Sequence, residues 1–130
     1  MIQSIKAESS EEQQEIFKAL PVLRPNSCLC IYGYWKDGKC VGAVWLNEQY
    51  PHYLNMEYYD SSAGIVRAIA ESFKELFKLK SHLTANIVNT NFKSLKMGKQ
   101  LGFYMLYEKD GMHLVELTKE TWRYKNRYPL

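Results

Sequence analysis

Two Asp-Gly dipeptides constrain the fold of this 130-residue chain more than any other feature. Each of them, Asp37-Gly38 and Asp110-Gly111, lies between two runs rich in apolar and aromatic residues. The runs are residues 28–35 and 40–46 around the first dipeptide, and residues 103–108 and 112–117 around the second. Asp-Gly is typical of the two-residue turn of a β-hairpin, because that turn needs positive φ at both positions. The sequence therefore predicts two antiparallel hairpins.

Amphipathic periodicity predicts three helices. The strongest pattern covers residues 65–78, where apolar residues recur every three or four positions and charged residues take the opposite side. An earlier helix is predicted to begin after a capping-box pattern at residues 9–12 and to stop near Pro21. The last helix is predicted over residues 90–100, where Gly102 has the place of a C-cap.

Short strands are predicted at residues 2–5, 53–59 and 83–88, in addition to the hairpins. The resulting order, β-α-β-β-β-α-β-α-β-β, predicts an α/β (α+β) fold. We expect a mixed, mainly antiparallel sheet of about six or seven strands, with a β-α-β crossover and helices on both faces. Since domains contain roughly 100–200 residues, we expect one domain, residues 1–118, followed by a basic and aromatic tail, residues 119–130.

The composition is that of an ordinary globular protein, with 46% hydrophobic and 24% charged residues. The net charge of +3 is too small to indicate a nucleic-acid partner. Basic and aromatic residues alternate in the tail, which can bind single-stranded nucleic acid, but packing of the rings is the commoner role. Without a signal region or an apolar run of membrane-spanning length, we expect a cytoplasmic protein with no membrane contact. Its oligomeric state stays open.

Three cysteines, Cys28, Cys30 and Cys40, lack the spacing of a zinc or redox motif. Cys28 and Cys30 lie two residues apart, and on a strand they would share one face, where a direct disulfide is disfavoured. We expect buried free thiols, rather than a disulfide or a metal site that includes His52, and we predict no metal.

The segment from Met56 to Arg67 joins the fourth predicted strand to the longest helix and has the chemistry of an anion site. Backbone N–H groups at a helix start point outward together without intrahelical acceptors. Hydroxyls at Ser61 and Ser62, the absence of a side chain at Gly64, and the Arg67 guanidinium would suit a phosphate or pyrophosphate. The alternative interpretation is an ordinary capped helix start.

The last predicted helix follows a strand directly, and Asn91 at its start is a candidate N-cap. The expected core contacts of this segment are Phe92, Leu95 and Leu101, and its lysines, Lys93, Lys96 and Lys99, are expected to form a solvated stripe.

The element order, together with the pattern Asn91-x-x-Ser94-x-x-Met97-x-x-x-Leu101-Gly102-Phe103, resembles the GNAT superfamily of N-acetyltransferases. The chain is similar to small, divergent members of that fold encoded by phages. The resemblance implies acetyl-CoA as cofactor, in a cleft where the fourth and fifth strands splay apart, and an amine of a small molecule or protein as acceptor. The cofactor-binding residues that it implies are Met56, Ser61, Ser62, Ala63, Gly64, Val66, Arg67 and Asn91.

Acetyl transfer from a thioester needs a neutral amine, a proton for the departing sulfur and donors for the oxyanion. Glu57, which the resemblance places beside the cleft, is the candidate base, and the alternative is an exposed strand carboxylate. Tyr104 is a candidate acid, as are Tyr58 and Tyr107.

Three positions depart from the family pattern. Ser61 stands where the family's phosphate loop has glutamine or arginine. Gly98 occupies the place of the family's usual acid, a tyrosine in the last helix, and Val66 stands where the family has a small residue beside the phosphates. From the resemblance, the expected function is an acetyl-CoA-dependent N-acetyltransferase. The departures favour the alternative, a non-enzymatic GNAT-like structural or accessory protein, virion-associated if a phage encodes it.

Overall fold

The computed structural model describes residues 2–20, 28–47, 49–59 and 63–123. It contains the predicted elements in the predicted order. They are β1 (Ile2–Lys6), α1 (Ser10–Ala19), β2 (Cys28–Lys36), β3 (Lys39–Asn47), β4 (Leu54–Tyr58), α2 (Ala63–Leu79), β5 (His82–Val88), α3 (Phe92–Leu101), β6 (Tyr104–Lys109) and β7 (Met112–Thr118).

The chain divides into two compact units, Met1–Ser72 and Phe73–Leu130. The first contains a four-stranded antiparallel sheet in the order β1-β2-β3-β4, and the second a three-stranded antiparallel sheet in the order β5-β7-β6. The α+β class and the number of strands are confirmed. The described strand pairs are all antiparallel. The sequence predicts one mixed sheet, but β4 and β5 each lie at the end of a separate sheet, so the described strands form two.

Both predicted hairpins are confirmed, and their turns have the expected backbone. Asp37 and Gly38 have φ of 51° and 78°, and Asp110 and Gly111 have φ of 53° and 75°. Positive φ at both central residues is the geometry whose twist matches that of the flanking strands. The hairpins therefore set the registers of β2 with β3 and of β6 with β7.

Helix α1 begins with the predicted capping box. Ser9 Oγ accepts from Glu12 N at 3.2 Å, and Glu8 N donates to Glu12 Oε2 at 3.4 Å. The apolar face of α1 contributes Ile16 and Phe17 to the core of the first unit. Phe17 meets Trp45 of β3 edge to face, at 6.2 Å between ring centroids, which holds α1 on the sheet.

In the second unit, Asn91 caps α3 by accepting from Ser94 N at 3.2 Å, and Gly102 ends the helix with φ of 110°. Leu101 is buried and Leu95 is half-buried, as expected. The prediction that Phe92 is a core contact is wrong, since its side chain is 74% exposed. Phe92 lies nine residues before Leu101, about half a turn away around the helix axis at 3.6 residues per turn.

The predicted tail, residues 119–130, begins inside the second unit. Trp122 is fully buried, and its ring lies 5.4 Å from that of Phe77 in α2. Arg123 N donates to Leu101 O at 3.0 Å. Residues 124–130 lie outside the described part of the chain.

Cys30 and Cys40 are buried free thiols, as predicted, whereas the Cys28 side chain is not among those described. Burial raises the pKa of the Cys40 thiol. Among the described residues, no helix is both long enough and apolar enough to cross a membrane.

Candidate functional site

Glu57, the candidate base, lies half-buried near the end of β4. Its carboxylate accepts a hydrogen bond from the hydroxyl of Tyr59, two residues further on. This bond raises the pKa of Tyr59. The partnership was open to prediction, because side chains two apart on an extended segment point to the same side.

Met56 presents its backbone to the outer edge of the first sheet. Tyr59 N donates to Val41 O, and Asn47 N donates to Tyr53 O, so the odd-numbered residues of this segment bond to β3. In an antiparallel pair the residues between them direct N–H and C=O away from the partner strand. Since β4 ends its sheet, the amide groups of Met56 can pair with a ligand that contains amides of its own.

Gly42 sets the approach of β3 to the Glu57 segment, and the sequence analysis did not identify it. A Cβ at this position would lie 2.8 Å from Glu57 O and 2.9 Å from Tyr58 Cβ. The signal was a glycine inside an apolar strand, which often marks close approach of another backbone. Gly42 therefore determines where β4 places Met56 and Glu57.

Helix α2 supplies the candidate anion site of the first unit, and its first described residue is Ala63. Gly64 and Val66 are half-buried, and Arg67 is exposed. The Arg67 guanidinium lies 3.5 Å from the Glu71 carboxylate one turn later. Such exposed pairs contribute little stability, so little free energy opposes a change of partner for the guanidinium. Ser61 and Ser62, the two predicted hydroxyl donors, lie outside the described residues.

Asn91, the cofactor residue predicted from the second unit, is an exposed N-cap. Its Oδ1 is engaged by Ser94 N, which fixes the side chain and leaves the Nδ2 group to donate elsewhere. The capping interpretation of Asn91 is confirmed, and it is compatible with a second contact to a ligand.

Gly98 lies buried in α3 and faces the second sheet. A Cβ built there would meet Ile87 Cδ1 at 3.6 Å and Phe103 Cβ at 3.7 Å, which are ordinary contacts. Gly98 lines a groove of the second unit together with Leu95 and Phe103. The position can therefore hold a small side chain, but in this chain it supplies no proton donor.

Tyr104, the candidate acid, lies opposite Glu116 in the register of β6 with β7, and its hydroxyl donates to that carboxylate. The next pair along, Met105 and Val115, points to the other face of the sheet. Ile87, the residue nearest to Gly98, lies on the face of Val115. Tyr104 therefore points away from α3, and its bond to Glu116 raises its pKa.

Comparison with known families and with curated proteins gives no sequence relative: no family model matches the chain, and no curated protein matches it. The structure, in contrast, is similar to many solved ones.

Three of the similar structures cover about nine tenths of the chain. Campylobacter jejuni N-acetyltransferase PseH matches with a TM-score of 0.64 at 18% identity, over 91% of this chain and 98% of PseH. The IAA acetyltransferase from Bacillus cereus matches with 0.65 at 14% identity, over 91% and 99% of the two chains. The GNAT domain of S. lividans PAT matches with 0.66 at 10% identity, over 90% and 89%. Over about nine tenths of its length, the chain has the fold of the GNAT superfamily.

Proposed function

We propose that the protein is an acetyl-CoA-dependent N-acetyltransferase that transfers an acetyl group to an amine. The observation that carries the proposal is the likeness to acetyltransferase structures over nearly the whole chain. PseH, one of these, has also been solved in complex with acetyl coenzyme A, with a TM-score of 0.63 and 18% identity to this chain.

The first unit offers the groups that such a cofactor needs. Backbone N–H groups at a helix start suit a pyrophosphate, and the described part of α2 begins at Ala63, with the Arg67 guanidinium four residues later. The outward amide of Met56 suits the amides of a pantetheine arm. Gly64 keeps one position of the first turn free of a side chain. Ser61, Ser62, Ala63 and Asn91 are the further cofactor-binding candidates that the resemblance implies.

Bound acetyl-CoA would supply the activated acetyl group, and the chain would supply proton transfer. Glu57 takes the proton of the attacking amine, directly or through a water, and Tyr59 holds the carboxylate in place through its hydroxyl. Because position 98 is a glycine, the proton for the departing sulfur comes from a tyrosine elsewhere in the chain. Tyr104 is one candidate, whose hydroxyl donates to Glu116, and Tyr58 and Tyr107 are its alternatives.

Calorimetric titration with acetyl-CoA tests the cofactor, and absence of binding at millimolar concentration would overturn the proposal. Release of free CoA in the presence of a panel of amines tests the reaction. We expect Glu57→Gln to lower kcat by about 100-fold while the Kd of acetyl-CoA stays unchanged. Glu75→Gln is the matched control, since that carboxylate pairs with Lys78 at 3.2 Å on the surface of α2. Tyr104→Phe, Tyr58→Phe and Tyr107→Phe, compared in parallel, identify the acid.

Gly98 favours one second candidate, a GNAT-like structural or accessory protein without catalysis. A buried glycine cannot protonate a leaving thiolate. This candidate predicts that no amine is acetylated even when acetyl-CoA is saturating, and that Glu57→Gln changes nothing measurable.

A further inference from the structure

Strand β6 exposes an apolar run along the edge of the second sheet. It ends the order β5-β7-β6, and all of its residues are exposed. Tyr104, Met105, Leu106 and Tyr107 are 38%, 54%, 46% and 55% exposed. Monomeric proteins usually protect an edge strand with charges or proline, because its unpaired backbone groups recruit other strands. The charges of β6, Glu108 and Lys109, lie at its end and leave residues 104–107 without either device, and this exposed apolar run indicates an interaction surface.

A β-bulge determines which side chains of β6 share a face. The register passes from Met105 opposite Val115 to Tyr107 opposite Leu114, so Leu106 is the extra residue. Tyr104 and Tyr107 therefore lie on the same face, where regular alternation would separate them. Lys109, opposite Met112, lies on that face as well.

Two oppositely charged side chains lie on this face, Glu116 opposite Tyr104 and Lys109 at the other end. At the Tyr104 end the Glu116 carboxylate accepts the tyrosine hydroxyl, and Glu120 lies near enough to act on Tyr104 electrostatically. At the other end is Lys109, which forms no ion pair with any described residue. The neighbouring Glu108 is already paired with His113, at 2.8 Å.

We propose that β6 pairs antiparallel with β6 of a second copy of this chain, in a symmetric dimer. Pairing about a two-fold axis between Leu106 and Tyr107 sets Lys109 of each copy opposite Tyr104 of the other. Lys109 then faces the Glu116 carboxylate that holds that tyrosine. In this register of the dimer, residues that lie opposite each other share a face of the sheet. Met105 of one copy lies opposite Glu108 of the other, and both are on the face that does not carry Tyr104.

The charge arrangement favours a second copy over a different partner. One strand carries both the acidic and the basic end, so antiparallel self-pairing satisfies both ends twice and closes the assembly. The pairing would also cover the apolar run in the centre. The inference does not rest on the proposed acetyltransferase activity, because none of the groups that carry it is assigned to the cofactor; two of them, Tyr104 and Tyr107, are also candidate acids.

Sedimentation equilibrium of the full chain tests the dimer. We expect a dimer with a micromolar or lower Kd. Lys109→Glu alone should raise that Kd by at least about tenfold, and Glu116→Lys alone should do the same. The double variant carries the reversed pair in both copies and should restore the wild-type Kd. Lys18→Glu, an exposed lysine of α1, is the matched control and should leave the Kd unchanged.

Two results would overturn the inference. One is a wild-type chain that stays monomeric at high micromolar concentration. The other is a double variant no better than either single variant, although circular dichroism shows that all three are folded. Hydrogen exchange adds an independent measurement: the amides of residues 105–108 should lose protection on dilution below the Kd. Protection that does not change on dilution would assign the edge to a segment of the same chain and contradict the dimer.

Discussion

Tyr34 and Ser72 form a buried hydrogen-bonded pair whose members are not equivalent. The two hydroxyls lie 2.8 Å apart, and Ser72 Oγ donates to Ile69 O at 2.7 Å, so Tyr34 is the donor within the pair. Tyr34→Phe leaves the serine with its acceptor and should cost about 0.5–1.5 kcal/mol. Ser72→Ala leaves the tyrosine hydroxyl buried without an acceptor and should cost about 1–3 kcal/mol. Urea unfolding measures both, and an equal or reversed order would contradict the assigned donor.

The same tyrosine predicts a loss of stability in alkali. Burial raises the pKa of Tyr34 well above its ordinary value. Above pH of about 10 the unfolded chain loses this proton and the folded chain keeps it, so the free energy of unfolding falls as pH rises. The contribution is fully present below that pH. Tyr34→Phe should show a shallower decline in urea titrations between neutral and alkaline pH.

Gly42 affects both the packing of β3 against β4 and the position of Glu57, the candidate base. Gly42→Ala would place a methyl group 2.8 Å from Glu57 O, so β3 and β4 must move apart at a cost of about 1–3 kcal/mol. Because Glu57 moves with that backbone, we expect kcat to fall more than the loss of folded protein explains. Thermal unfolding and activity at a temperature where the variant is fully folded separate the two effects. Unchanged stability would contradict the close approach.

Helix α3 contains a glycine, Gly98, whose replacement by alanine should stabilise the fold. Glycine inside a helix costs about 0.5–1 kcal/mol relative to alanine, and a Cβ at Gly98 makes only ordinary contacts, the nearest at 3.6 Å. Gly98→Ala should therefore raise the free energy of unfolding by that amount, as measured by urea denaturation. Gly102→Ala is the contrasting control, since that residue has φ of 110° and Thr121 O lies where the methyl group would be. A destabilised Gly98→Ala would show that the position is more tightly packed than these distances imply.

The elements themselves were largely predictable from sequence because their signals are local. The Asp-Gly turns, the Ser9 capping box and the Gly102 C-cap each act within a few residues. Helical phase alone shows that Phe92 and Leu101 cannot share a face, but which of the two is buried is decided by the packing of the core. The bulge at Leu106 likewise depends on the partner strand and leaves no mark in the composition of β6.

For the whole molecule, the sequence predicted the GNAT fold, and the resemblance implied that the fourth and fifth strands splay apart, but a single mixed sheet was expected where the described strands form two antiparallel ones. Strand order between distant segments depends on long-range packing, which periodicity does not contain. The candidate site divides in the same way. Capping by Asn91 and the bond from Tyr59 to Glu57, two residues apart, were open to prediction from the sequence, whereas the bond from Tyr104 to Glu116 needed the register of β6 with β7.

A ligand that binds only the folded chain stabilises the whole of it by mass action, which links the proposed function to unfolding. Acetyl-CoA at about 100 times its Kd should raise the free energy of unfolding by about 2.7 kcal/mol.

Val66→Ala removes a branched side chain from the first turn of α2, so at a subsaturating concentration of acetyl-CoA the variant should show a larger rise in Tm than wild type. Val88→Ala, an exposed valine of β5, should give the wild-type rise. Differential scanning fluorimetry with and without acetyl-CoA measures these shifts, each relative to its own ligand-free protein. Equal shifts for Val66→Ala and wild type would show that the start of α2 does not contact the cofactor, whereas no shift in any protein would contradict acetyl-CoA binding itself.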